Sequence, residues 1–125
     1  MSRIGGPTGD RCRFKDLCLD AADPAALAGW WGARLGAAAH ESDDGSFWWL
    51  EAGDGLPVDW CFQAVPEPKT VKNRVHLDLH VGGDRIRPEV DRLVALGAVE
   101  GKEWREVGGH WIAMTDPEGN EFDVE

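Results

Sequence analysis

Residues 75–81 read Val-His-Leu-Asp-Leu-His-Val, and residues 16–20, sixty positions before 76–80, read Asp-Leu-Cys-Leu-Asp. Both alternate with a period of two, the pattern of a strand that buries one face. In the later stretch Leu77, Leu79 and Val81 share one face, and His76, Asp78 and His80 share the other. In the earlier one, which reads as a strand from Arg11 to Asp20, Leu17 and Leu19 oppose Asp16, Cys18 and Asp20. Each strand is followed by a helix. Asp23 and Pro24 supply an N-cap and a first-turn proline; Leu27, Trp30, Trp31 and Leu35 fall at helical spacing, and Gly36 stops the helix. The second helix runs from about Ile86, with Pro88 near its start, Val90, Leu93, Val94 and Leu96 on its apolar side, and Gly97 as its stop.

Strands then follow each helix. In the first half they read as 47–51 and 58–65, separated by the Gly53-Asp54-Gly55 turn and ended by Pro66 and Pro68, which cannot donate to a ladder. In the second half they read as 103–107, 111–115 and 121–124, with turns at Gly108-Gly109 and Asp116-Pro117-Glu118-Gly119-Asn120. Asp16-Leu17 and His76-Leu77 are 60 residues apart, and Leu35-Gly36-Ala37 and Leu96-Gly97-Ala98 are 61 apart. The order strand, helix, strands thus occurs twice, as expected of a duplicated unit. The fold class is α+β, with two βαβββ modules in tandem at about 11–66 and 74–125. They make up one domain, 11–125, behind a flexible N-terminal segment, 1–10.

Composition narrows the function. At 125 residues and 42% hydrophobic content, the chain builds one core without disulfide or zinc staples. Its three cysteines, Cys12, Cys18 and Cys61, lack CxxC spacing and point to a reducing compartment. No signal-like or membrane-length apolar run is visible, so the expected location is cytoplasmic, with no membrane partner. The net charge of −10 (13 basic against 23 acidic residues) is unsuited to neutralising phosphates, which excludes nucleic acid as a partner. The same field favours neutral or cationic small ligands.

Three segments carry a family resemblance. They are Leu17-Cys18-Leu19-Asp20 with Ala22-Asp23-Pro24; Val65-Pro66-Glu67-Pro68-Lys69 with the run from Lys72 to Leu79; and Asp116-Pro117-Glu118-Gly119-Asn120-Glu121-Phe122. In order and spacing the chain resembles the glyoxalase-like branch of the vicinal oxygen chelate superfamily, which includes glyoxalases, bleomycin resistance proteins and dioxygenases. The resemblance implies two modules whose curled mixed sheets form a cleft, and often a homodimer. In the family's enzymes a divalent metal is held by residues of the first and last strands of each module and binds two neighbouring substrate oxygens. Carried over, His76 matches the histidine of the second module's first strand. Asp123 stands where metal-using relatives usually have Glu, Asp16 where His, Gln or Glu is common, and Gln63 is assigned to the remaining position. Such a set suits one divalent ion: Mg²⁺, Mn²⁺, Fe²⁺, Ni²⁺ or Zn²⁺.

Around that set, Cys18, Asp78 and His80 are expected on the cleft face, Asp78 orienting an imidazole or pairing with Arg74 or Arg85. Lys72-Asn73-Arg74 reads as a polar linker whose Asn73 and Arg74 tie the halves together, with binding of a carboxylate-bearing ligand as the alternative. Of seven tryptophans in a chain without tyrosine, Trp30 and Trp31 read as core. Trp48 and Trp49 face opposite ways, so that one of them lines the cleft, joined there by Trp60 and Trp111. Aromatic walls hold planar or cationic ligands by stacking and cation–π contacts. The expected function is binding of a small neutral, aromatic or cationic molecule in a Trp-lined acidic cleft. The alternatives are a metal-dependent lyase, isomerase or dioxygenase using His76 and Asp123, but not glyoxalase I itself, and a drug-sequestering resistance protein.

Overall fold

The computed structural model describes residues 11–125; the expected flexible N-terminal segment, 1–10, lies outside them. The described residues form two compact units, 11–64 and 65–125, and each repeats one plan.

In the first unit, strand β1 (Asp16–Ala21) leads to helix α1 (Pro24–Leu35), followed by β2 (Ala39–Glu41), β3 (Phe47–Leu50) and β4 (Asp59–Ala64). Residues 11–15, expected to begin the first strand, are not in it; with Arg11, Arg13 and Lys15 they lack a run that pays for burial by alternation. The helix starts as its residues dictate: the Asp23 side chain accepts a bond from the Ala26 N–H (3.1 Å), Pro24 takes the first position, and Gly36 ends it at φ 66°. The sheet order is β1-β4-β3-β2, with β1 and β4 parallel and the rest antiparallel. One face packs on α1 through Ala21, Leu50, Trp60 and Phe62 against Leu27, Ala28 and Trp31, all buried. Gly32 is needed there, since a Cβ would stand 2.8 Å from the Ala37 carbonyl oxygen and 3.0 Å from Leu50.

In the second unit, β5 (Leu77–Leu79) is followed by a 3₁₀ turn (Gly83–Arg85), α2 (Ile86–Ala95), β6 (Val99–Glu106), β7 (Gly109–Thr115) and β8 (Glu121–Val124). The sheet order β5-β8-β7-β6 has the same pattern, with β5 and β8 parallel. Ile112, Met114, Phe122 and Val124 bury against Ile86, Val90 and Leu93. The two βαβββ modules and the mixed sheets expected from the sequence are therefore present, and neither sheet closes on itself.

Each unit thus has one helix-covered face and one open face. The period-two pattern decides which side chains reach the open one. No helix of the described residues is long and apolar enough to cross a membrane.

Candidate functional site

The open face of the second unit bears a concavity of about 730 Å³. His76, just ahead of β5, and Asp78 on β5 point into it from one strand, and Asp123 joins them from β8, where it is the register partner of Asp78. His76 Nε2 lies 3.3 Å from Asp123 Oδ2 and 3.5 Å from Asp78 Oδ1. One ligand atom from each of the three falls within 4.8 Å of the others. Burial pushes the Asp123 carboxyl above its ordinary pKa; the His76 charge opposes this and Asp78 adds to it. A carboxylate held at such a desolvation cost gains from a cation beside it.

The turn ahead of β8 aims Asp123. Asp116 is buried (2% exposed), and its carboxylate accepts from the backbone N–H groups of Glu118 (2.9 Å) and Asn120 (3.0 Å) and from Asn120 Nδ2. Gly119 supplies the positive φ, 87°, that the turn demands. Asn73 clamps the same place: its N–H donates to Glu121 Oε1 and its side-chain amide to Asn120 Oδ1, both at 3.0 Å. Burial alone would raise the Glu121 pKa, but the Asn73 N–H and Lys69 at 3.0 Å outweigh it and leave the pKa low. These Asn73 bonds run within the second unit, where the sequence led us to expect a tie between the halves.

Beside the carboxylates, on the next two strands of the same sheet, stands an aromatic pair. Trp104 on β6 and Trp111 on β7 are cross-strand partners stacked at 6.1 Å and 16°, and Lys102 Nζ sits 3.6 Å from the Trp104 ring centre. Trp104 was not among the residues the sequence singled out. A register shift between Glu100 and Glu103 breaks the alternation of β6 and hides which face Trp104 takes. The lining carries six carboxylates (Asp78, Glu100, Glu106, Glu121, Asp123 and Glu125) against Lys72 and Lys102. His80, expected on this face, is exposed beyond the end of β5 and does not line the concavity.

The first unit's open face has its own concavity, about 680 Å³, lined by Asp16, Cys18, Phe47, Trp49, Asp59, Cys61 and Gln63 among others. Asp16 pairs with Lys15 at 2.8 Å, which draws its carboxyl below the ordinary pKa. Trp49 stacks on His40 at 5.3 Å. Two expectations, those for Trp60 and Gln63, need correction here. Trp60 is core, not cleft wall: it alternates with Asp59 and Cys61, so it turns under α1, where its ring meets Trp31 at 5.2 Å. Of the adjacent pair, Trp49 reaches the open face and Trp48 the helix side. Gln63 is no co-ligand of Asp16. Asp16 is level with Asp59 and Gln63 is level with Asp20, which separates them along the sheet by roughly 13 Å at ~3.3 Å per residue. The place in β4 that corresponds to Asp123 is Cys61, since each is the register partner of the residue two after the first acidic or imidazole position of its module.

A family model described as a glyoxalase-like domain matches residues 16–125. Among solved structures, the chain is similar to the E126Q mutant of the fosfomycin resistance protein FosX of Listeria monocytogenes, complexed with Mn(II) and 1S,2S-dihydroxypropylphosphonic acid. The TM-score is 0.73 and the identity 14%, over 90% of this chain and 88% of that one. It is also similar to a lactoylglutathione lyase of Agrobacterium tumefaciens (TM-score 0.63, 15% identity, 93% and 94% covered) and to the oxidase ChaP-H2 (0.64, 19%, 90% and 91%). At these identities the likeness is one of fold. No curated protein matches the sequence.

Proposed function

The chain belongs to the glyoxalase-like domain family of the vicinal oxygen chelate superfamily, and from that premise we propose that it binds a small neutral, aromatic or cationic molecule on the open face of its second unit, beside a divalent metal held by His76, Asp78 and Asp123. The observation that carries the reading is the placement of that trio and the Trp104–Trp111 pair in one concavity. Donor atoms that share an ion at ~2.1 Å stand about 3 Å from one another, close to the 3.3 and 3.5 Å measured from His76. One imidazole and two carboxylates suit Mn²⁺, Fe²⁺, Ni²⁺ or Zn²⁺ better than Mg²⁺, which prefers oxygen alone. When bound, the ion would polarise a ligand oxygen as a Lewis acid. The protein's own part is to hold the ligand's planar portion on the indoles and to exclude water there.

The Mn(II) complex of FosX, a protein of the same fold, supports the metal; a lyase, isomerase or dioxygenase activity would follow from it. The second reading, metal-free sequestration of a planar cation, is favoured by the stacked indoles and the surplus of carboxylates. Metal analysis after purification without chelator separates the two. On the metal reading, near-stoichiometric divalent ion accompanies the protein, and His76→Ala or Asp123→Asn lowers its affinity by 10-fold or more. Absence of metal from wild type after incubation with Mn²⁺ and Zn²⁺ would overturn the metal reading and leave sequestration.

A further inference from the structure

Cys18 on β1 and Cys61 on β4 stand directly opposite each other in the parallel pair. Alternation sends both side chains to the open face of the first unit, where they line its concavity. They interact there: Cys61 is among the groups that raise the Cys18 pKa, after burial and the carboxylate of Asp16. The pair occupies in the first module the register positions that Asp78 and Asp123 occupy in the second. Where the second module places two hard oxygen ligands, the first places two thiols.

Neighbouring strands run about 4.8 Å apart, inside the ~4.4–6.8 Å range of Cα separations that a disulfide spans. A relaxed bridge also needs Cβ atoms ~3.5–4.5 Å apart, nearer than side chains standing straight up from strands ~4.8 Å apart. A bond can therefore close with a small inward lean of the two side chains, and the strain makes it easy to reduce. That combination describes a reversible couple and not a permanent staple.

We propose that Cys18 and Cys61 form a dithiol–disulfide couple on the open face of the first unit, oxidised by low-molecular-weight disulfides such as oxidised glutathione. One cysteine, as thiolate, attacks a sulfur of the small disulfide, forming a mixed disulfide and releasing one small thiolate. The second cysteine sulfur then attacks the first, forming the Cys18–Cys61 bond and expelling the second small thiolate. The two protons of the protein thiols pass to the two released thiolates; the protein gives up two electrons and the small disulfide gains them. The Cys18 thiol donates to Asp16 Oδ1 at 3.5 Å and is pushed up to about 11, which slows the exchange by lowering the thiolate fraction and favours the reduced side of the couple. The couple stands independently of metal binding in the second unit.

The experiment uses the full chain carrying Cys12→Ser, which removes one of the three free cysteines and leaves this pair. The native protein is equilibrated with mixtures of reduced and oxidised glutathione, quenched with acid, and read by intact mass and by peptide mapping. The expected product lacks two hydrogens, carries no glutathione, yields a linked peptide joining Cys18 to Cys61, and reverts with dithiothreitol. Cys18→Ser and Cys61→Ser in the same background should each abolish the linked product, with far-UV circular dichroism confirming that they fold. Stable glutathione adducts on both cysteines, disulfide-linked dimers, or a linked peptide formed only in urea would overturn the proposal.

Discussion

Asp116 shows how much one carboxylate can organise. Buried at 2% exposure, it accepts two backbone N–H groups and the Asn120 amide, and so sets the turn that delivers Asp123 to His76. Replacing it with Ala leaves those donors without their acceptor. With charge-assisted bonds contributing ~1.5–3 kcal/mol, we expect Asp116→Ala to lower stability by about 3 kcal/mol in urea denaturation and Asp116→Asn by less. An unchanged midpoint for the Ala variant would contradict this role. The residues of this turn were legible in the sequence, because Asp-Pro, Gly and Asn have turn chemistry wherever they stand. So was the meeting of His76 with Asp123, through the family pattern. Gln63 was misread because its position depends on the register of a parallel pair, which is set by tertiary packing and not by local pattern.

Among the elements, helices were the most readable, since both carry their stops in Gly36 and Gly97 and α1 its N-cap in Asp23. Strand β2 was not anticipated: Ala39-His40-Glu41 has too few residues and no apolar alternation, and it exists because β3 offers it a ladder. Trp60 could have been placed from its own strand, where Trp60 and Phe62 form an apolar face against Asp59, Cys61 and Gln63. The turn between β2 and β3 makes a prediction at this scale. Asp44 accepts from the Ser46 N–H and hydroxyl and from the Ser42 hydroxyl (2.7–3.0 Å), and these bonds lower its pKa from 3.8 to about 2. A depressed carboxylate favours the folded turn above the unfolded pKa, near 3.8, and this contribution is lost as pH falls toward 2. The Ser46 amide resonance should therefore report a titration near pH 2, and Asp44→Asn should remove it. A midpoint near 4 would show that the bonds do not form in solution.

For the whole molecule, a charge of −10 acts on any ligand that approaches. Of six carboxylates lining the second unit's concavity, Glu100 and Glu121 are paired with Arg87 and Lys69; the other four face two lysines and concentrate that field where the indoles lie. A planar aromatic cation should therefore bind more tightly than a neutral or anionic molecule of the same shape. The gap should narrow by several-fold between 20 and 300 mM salt, as the screening length falls below ~10 Å. Quenching of tryptophan fluorescence measures it, with Trp104→Ala and Trp111→Ala as the lines that lose the signal. Equal affinity for cation and anion at low salt would remove charge from the account. Net charge could be read from composition alone, whereas the collection of carboxylates on one face could not, because β6 changes face at its bulge.

That bulge has a wider consequence. As the outermost strand of its sheet, β6 offers a row of backbone donors and acceptors to any other strand, the situation in which chains recruit copies of themselves into fibres. Its exposed side chains are Val99 and five charged ones, Glu100, Lys102, Glu103, Arg105 and Glu106, and its irregularity twists the row out of line. The interruption that conceals Trp104 from a reader of the sequence also conceals the sheet's edge from its neighbours.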